Sequence, residues 1–211
     1  MASFPERFDH LMYGGGVALE ALVDEVAARS GLRASYGGRH ATGGTHNALL
    51  GLGGARYLEL IAADPAGDGA AQRGRLIAGL GAPRAICWAV AVDDLDRARA
   101  RARRAGYDPG PIETLARRTP DGRRLSWRLA WAGDGVVLGV VPFLIEWGRC
   151  PHPAASAPAG LRLVGLRAEH PQPESVAGAL RALDVELELG PGPQPALIAT
   201  IDSPRGRFEL R

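Results

Sequence analysis

The side chains best placed to do chemistry in this 211-residue chain are carboxylates set among apolar residues. Glu59 stands in Arg56-Tyr57-Leu58-Glu59-Leu60, Glu146 in Phe143-Leu144-Ile145-Glu146-Trp147 and Glu209 in Arg207-Phe208-Glu209-Leu210. Each interrupts an apolar run near its end. An otherwise buried strand rarely carries a carboxylate unless that group is paired, bound to metal or facing a cavity. In a cavity it becomes a general base when burial raises its pKa toward neutrality. His46-Asn47 opens a further apolar run after a glycine-rich approach, and reads either as a ligand contact or as a hairpin-capping pair. Arg117, Arg118, Arg123, Arg124 and Arg128, interleaved with Trp127 and Trp131, offer bidentate partners for a substrate carboxylate or phosphate. Most of them read as solvated hairpin arginines. Arg128, inside a strand beside Trp127, is the best placed for substrate. His152, between two prolines, lies over a cavity mouth or in an extended tether; His40 and His170 read as loop residues with no role.

The composition removes several chemistries. All 25 basic residues are arginine, so Schiff-base catalysis and a Walker-type phosphate loop lack their lysine. A net charge of +2 demands no nucleic-acid partner. The basic run at 97–104 alternates with alanine behind Asp93-Asp94-Leu95-Asp96, which fits the solvated face of a surface helix. Cys87 and Cys150 are too few and too far apart for a disulfide framework or a zinc site. The first residues hold no signal-peptide core, and no run reaches the roughly 18 apolar residues of a membrane span. The expectation is a cytoplasmic protein without a membrane partner.

Behind these residues stands a repeated unit. A strand over 8–13 ends at three glycines, and helical spacing follows over 19–29 until Gly31. Strands at 47–52 and 56–62 flank Gly53-Gly54. The order recurs as a strand at 86–92, a helix at 94–105 stopped by Gly106, a turn at Asp121-Gly122, and strands at 125–131 and 137–147, the last interrupted. A third round places a strand at 161–168, a helix at 173–183, and strands at 185–189, 196–201 and 207–210. A duplicated β-α-β-β-β unit is the economical reading.

That unit, with a histidine early in its first strand and a glutamate late in its last, resembles the vicinal-oxygen-chelate superfamily, and within it the bacterial glyoxalase-like domain proteins. The resemblance is carried by Phe8-Asp9-His10-Leu11-Met12-Tyr13, Gly44-Thr45-His46-Asn47, Tyr57-Leu58-Glu59-Leu60-Ile61, Asp93-Asp94-Leu95-Asp96, the stretch 117–127, and Pro142–Gly148 with Pro151-His152-Pro153. It covers nearly the whole chain. It implies an α+β fold in which two modules over 1–150 curl a mixed sheet around a shared cavity. A linker at 151–159 then leads to a further module at 160–211, which covers exposed sheet, pairs with another chain or extends the pocket wall. A homodimer is expected.

The resemblance also implies a divalent metal held by His10, Glu59 and Glu146, a set suited to manganese, iron(II), nickel or zinc. The fourth position falls on Cys87, where metal-dependent relatives usually have histidine or glutamine. Cys87 is there either a thiolate that favours zinc or a small packing residue. The implied chemistry is Lewis-acid stabilisation of an enolate or alkoxide, with Glu59 or Glu146 as general base. Glu209 has no matching histidine and reads as a mark of shared ancestry. The expected function is a glyoxalase-like, metal-assisted enzyme of isomerase or lyase type, acting on a small oxygenated metabolite. Ring-cleaving dioxygenation fits less well, because those relatives use two histidines with one carboxylate. The alternative is a metal-free protein of the same fold that binds or sequesters a small molecule, with His10 and Glu59 bonded to each other or to the ligand.

Overall fold

The computed structural model describes residues 4–67, 69, 71–132 and 139–211. The first module runs β1 (Phe8–Gly14), α1 (Leu19–Ser30), β2 (Ser35–His40), β3 (Thr45–Gly51) and β4 (Tyr57–Ala63). After α2 (Gln72–Ala78), the second runs β5 (Arg84–Ala91), α3 (Leu95–Arg104), β6 (Ile112–Arg118), β7 (Arg124–Ala130) and β8 (Phe143–Glu146). Positions 137 and 138 of the strand expected at 137–147 lie outside the described residues. Local chemistry explains the helices. Leu19, Leu22, Val23 and Val26 of α1 are buried on one face, and Gly31 ends the helix in the left-handed region that glycine tolerates. At α3 the Asp94 carboxylate accepts from the Arg97 N–H at 2.9 Å, Leu95 and Ala102 are buried, and most of the arginines face outward.

The strands close into a barrel of order β1-β4-β3-β2-β6-β7-β8-β5. In each module the opening strand lies parallel to the closing one, β1 to β4 and β5 to β8. One seam is the antiparallel β1·β5 pair. The other joins β2 to β6 through only Arg39↔Arg118 and His40↔Arg117. Strands β2 and β6 and helix α2 are additions to the sequence expectation. Gly37 and Gly38 lower strand propensity in β2, and α2 is a seven-residue helix without a capping side chain.

Both faces of the barrel wall are covered at β1, β3, β4 and β5, while β2, β6 and β7 keep exposed outer positions. Inside, Met12, Ile61, Cys87, Trp127, Leu129, Trp131, Phe143 and Ile145 form one cluster. Outside, Phe8, Leu11, Leu58, Leu60 and Trp88 pack with α1 and with a second sheet. That sheet contains β9 (Arg162–His170), β10 (Glu188–Pro191), β11 (Ala196–Ser203) and β12 (Gly206–Leu210), with α4 (Pro173–Ala182) after β9. The Leu163 N–H donates to Leu52 O and the Gly51 N–H to Pro158 O, tying the two sheets together.

The third unit repeats the element order of the modules but not their pairing. Its order is β10-β9-β11-β12, so the opening strand sits in the middle and the closing strand at the edge. Glu209 on β12 is therefore exposed, accepting from the Thr200 hydroxyl, and does not occupy a place equivalent to Glu59. The likeness of the closing-strand strings is one of sequence, not of topology. Among the described residues, no helix is long and apolar enough to cross a membrane.

Candidate functional site

Inside the barrel lies a small cavity of about 40 Å³. Its polar floor is built on β1, β4, β3 and β2. The pleat of β4 turns Tyr57, Glu59 and Ile61 inward and Leu58 and Leu60 outward, and the parallel register sets Glu59 beside Met12 and Tyr57 beside His10. His10 Nε2 stands 3.6 Å from Glu59 Oε2, and the imidazole stacks on Tyr57 with centroids 4.6 Å apart. Asn47 Nδ2 donates to Glu59 Oε1 at 2.6 Å. On the far side of the same carboxylate, His40 Nε2 is 3.7 Å from Oε1, while His40 Nδ1 meets the Thr45 hydroxyl at 2.7 Å.

Behind His10 sits Asp9. Its Oδ1 is 2.6 Å from His10 Nδ1, and its Oδ2 accepts from Trp147 Nε1 and contacts His152 Nε2, each at 3.0 Å. Burial alone would raise this carboxyl, but the hydrogen bonds and charges of His10 and His152 bring it down to about 2. An ionised Asp9 accepts from Nδ1–H and thereby turns Nε2 toward Glu59 and the cavity. The Pro-His-Pro segment, with a 3-10 turn at Pro153–Ala155, is thus a cover over Asp9. Asp9 escaped the sequence reading because neighbours on a strand normally face opposite sides; a register shift between Phe8 and His10 accompanies the exception.

Strand parity sorts the remaining candidates. Trp127 and Asn47 line the cavity. His46, next to Asn47, is half-buried on the outer side with its ring edge-on to Tyr36. On β8, Phe143 and Ile145 point in, so Glu146 points out and pairs with Arg128 at 3.0 Å. Arg128 also bonds Asp96 at 2.7 Å and does not line the cavity. The structure therefore does not bring Glu146, Arg128 or His46 to His10 and Glu59. It brings His40 and Arg117 instead, both read from sequence as peripheral. Leu115 and Arg117 alternate inward on β6, a period-2 signal that was present in the sequence once that segment is taken as a strand.

The family-model description "Glyoxalase-like domain" matches residues 8–183. The chain belongs to the glyoxalase-like domain family. This glyoxalase-like chain is similar in fold to a hypothetical protein from Staphylococcus aureus, at 13% identity and a TM-score of 0.60 over 97% of this chain and 85% of that one. Methylmalonyl-CoA epimerase from Mycobacterium tuberculosis aligns at 21% identity and a TM-score of 0.45, over 74% of this chain and 96% of the other. Among curated proteins none matches.

The residues present do not fit the metal centre that the resemblance implies. Of the three expected donors, Glu146 is on the outer surface. Cys87 is a buried thiol whose pKa burial raises, and it packs on Met12 Sδ at 3.2 Å. His10, His40 and Glu59 are the donor types of a two-histidine, one-carboxylate site. Yet the two imidazoles flank opposite oxygens of Glu59, and Oε1 already accepts from Asn47. Among the described residues no group of three or more His, Cys, Asp or Glu side chains is arranged to hold an ion.

His40 supplies a pH test of this floor. Burial pushes its pKa from 6.5 down to about 4; Glu59 opposes the drop, and Arg117 and Arg73 add to it. Between those values the unfolded chain takes up a proton at His40 that the folded chain refuses, so stability falls as pH falls through the window. Urea unfolding at pH 6.5, 5.5 and 4.5 is expected to show this slope in the wild type and a flatter one in His40→Asn. Equal slopes would mean that His40 is not buried neutral.

Proposed function

We propose that the cavity is an active site for proton transfer beside a carbonyl group on a small oxygenated metabolite. The observation that carries this reading is the buried chain Asp9–His10–Glu59–Asn47 at the floor of an aromatic-walled cavity. Carboxylates and imidazoles in hydrogen-bond reach of a bound substrate are the ordinary means of moving a proton to and from carbon. Glu59 takes the proton and returns it to the enolate, giving an isomer or epimer of the substrate. His10, fixed by Asp9, presents Nε2 to Glu59 and biases its charge through the step. Asn47 holds the carboxylate by its other oxygen, and Tyr57, whose pKa burial raises, stays neutral against the imidazole. The chemistry asked of these groups is isomerase-type and uses the protein's own acid and base.

The test is deuterium exchange. The full chain is incubated in deuterium oxide with a panel of 2-hydroxy and 2-oxo acids, and loss of the carbon-bound proton signal is followed by NMR. Exchange by the wild type that falls at least about 100-fold in His10→Ala supports the reading. The aromatic lining also suits a binding or sequestration protein of the same fold. Tight binding of panel members without exchange, unchanged in His10→Ala, would establish that role and remove the enzyme.

A further inference from the structure

We propose that the barrel opens along the β2·β6 seam to admit its ligand, with Arg117 as the clasp; this rests on reading the cavity as the functional site. At about 40 Å³ the closed cavity has room for roughly three waters, whereas a pocket for a small molecule is several times larger. A ligand therefore enters only where part of the wall gives way.

Among the described residues the β2·β6 seam is the thinnest junction of the barrel. It holds two residue pairs and one further bond, from the Ala41 N–H to Ala116 O at 3.0 Å. The β1·β5 seam, by contrast, is paired from Phe8 and Val90 to Gly14 and Arg84. Arg39 stands directly opposite Arg118, and like charges so placed destabilise a strand pair. Neither bonds the other, and Arg39 turns away to Asp64 at 3.2 Å. Gly37 and Gly38 weaken β2 further. Across this seam reaches the Arg117 guanidinium, which donates through Nη1 to Gly37 O.

Its position makes the seam a door as well as a weak point. His40 and Arg117, which face each other across it, both line the cavity, so parting the strands uncovers the floor directly. Outside runs a groove of about 650 Å³ along Tyr36, Arg39, Arg118 and Arg124, and Arg117 lines that groove too. One side chain, only 4% exposed, thus stands between the two spaces. The Glu59 carboxylate attracts this guanidinium, so its charge keeps a counterpart when the bond to Gly37 lets go. The rival way in passes Trp127 and Trp147, but there the Trp147 indole is held by its bond to the buried Asp9.

A disulfide across the seam tests the door. Arg39→Cys and Arg118→Cys change directly opposed positions, a separation that a disulfide spans. The probe is diethyl pyrocarbonate, which labels imidazoles and has the bulk of a small metabolite; each histidine of the full chain is followed by mass spectrometry. In the oxidised double variant His10 and His40 are expected to react at least about tenfold more slowly than after reduction, while His170, outside the cavity, reacts alike in both states. Equal rates at His10 and His40 in the two states overturn the proposal. Should the disulfide fail to form, hydrogen exchange in the unmodified chain decides. The Ala41 amide should then exchange at least about tenfold faster than the amides of β1, and equal protection overturns the proposal. Neither readout depends on turnover. A gated cavity that exchanges no acid would reject the proton-transfer reading alone, and His10-dependent exchange behind an ungated seam would reject the door alone.

Discussion

Glu59→Gln is expected to slow proton exchange by about 10²- to 10⁴-fold, whereas Glu146→Gln should leave it within about twofold. Glu59 is the third of seven residues in β4, whereas Glu146 is the last residue of β8, and they face opposite sides of the wall. Glu59 lies 3.6 Å from His10 Nε2 and accepts from Asn47 at 2.6 Å. A glutamine there keeps the shape and can still accept from Asn47, so the loss isolates the base from the fold. Glu146 spends its charge on Arg128 at a partly exposed surface, where such a pair contributes about 0–1 kcal/mol. Exchange rates measured on both variants by NMR decide the matter. A Glu146→Gln enzyme as slow as Glu59→Gln would place the chemistry around β8 and reject the floor described here.

Trp88→Ala is expected to lower the unfolding free energy by about 3–5 kcal/mol. Trp88 lies on the outer face of β5, fully buried between the barrel wall and the second sheet. Its ring stacks with Phe8 at 6.0 Å, and its Nε1 donates to Val140 O at 2.8 Å. Alanine would lose the transfer term of a large side chain, leave a cavity at the junction, and strand the Val140 carbonyl. Because β5 forms the β1 seam and also pairs with β8, slack at this point reaches both walls of the site. Urea denaturation gives the comparison. A loss below about 1 kcal/mol would mean that the second sheet does not depend on this contact.

The third unit shows how far a matching string can mislead. Arg207-Phe208-Glu209-Leu210 reads like Arg56-Tyr57-Leu58-Glu59-Leu60. In the barrel, however, the closing strand is enclosed between neighbours, and β12 is at an edge. Element order is local information, but strand pairing depends on which surface is left to cover. Here the sheet lays its apolar face, with Leu163, Ile201 and Leu210, in the same core as Trp88 and α1.

The family resemblance implied the paired modules around a cavity and the meeting of His10 with Glu59; from the residues alone came the elements in their β-α-β-β-β order. These rest on local signals, namely apolar periodicity, glycine stops, and a carboxylate in an apolar strand. In the strands buried on both faces, tertiary structure alone decided which side looks inward. Where both faces of a wall are buried, as in β4 and β8, the apolar run is nearly continuous and alternation gives no sign of the inner face. One residue of difference then turns every side chain over. Glu146 went outward for that reason. In β7, by contrast, the alternation of Leu125, Trp127 and Leu129 with Ser126 and Arg128 is itself a sign that Arg128 faces outward. Arg117 and His40 came in across the two-pair seam of β2 and β6. Asp9 took its place behind His10 only because a segment more than a hundred positions later, carrying Trp147 and His152, closes over it. A buried carboxylate needs such partners, and partners so distant in sequence are found only in the folded chain.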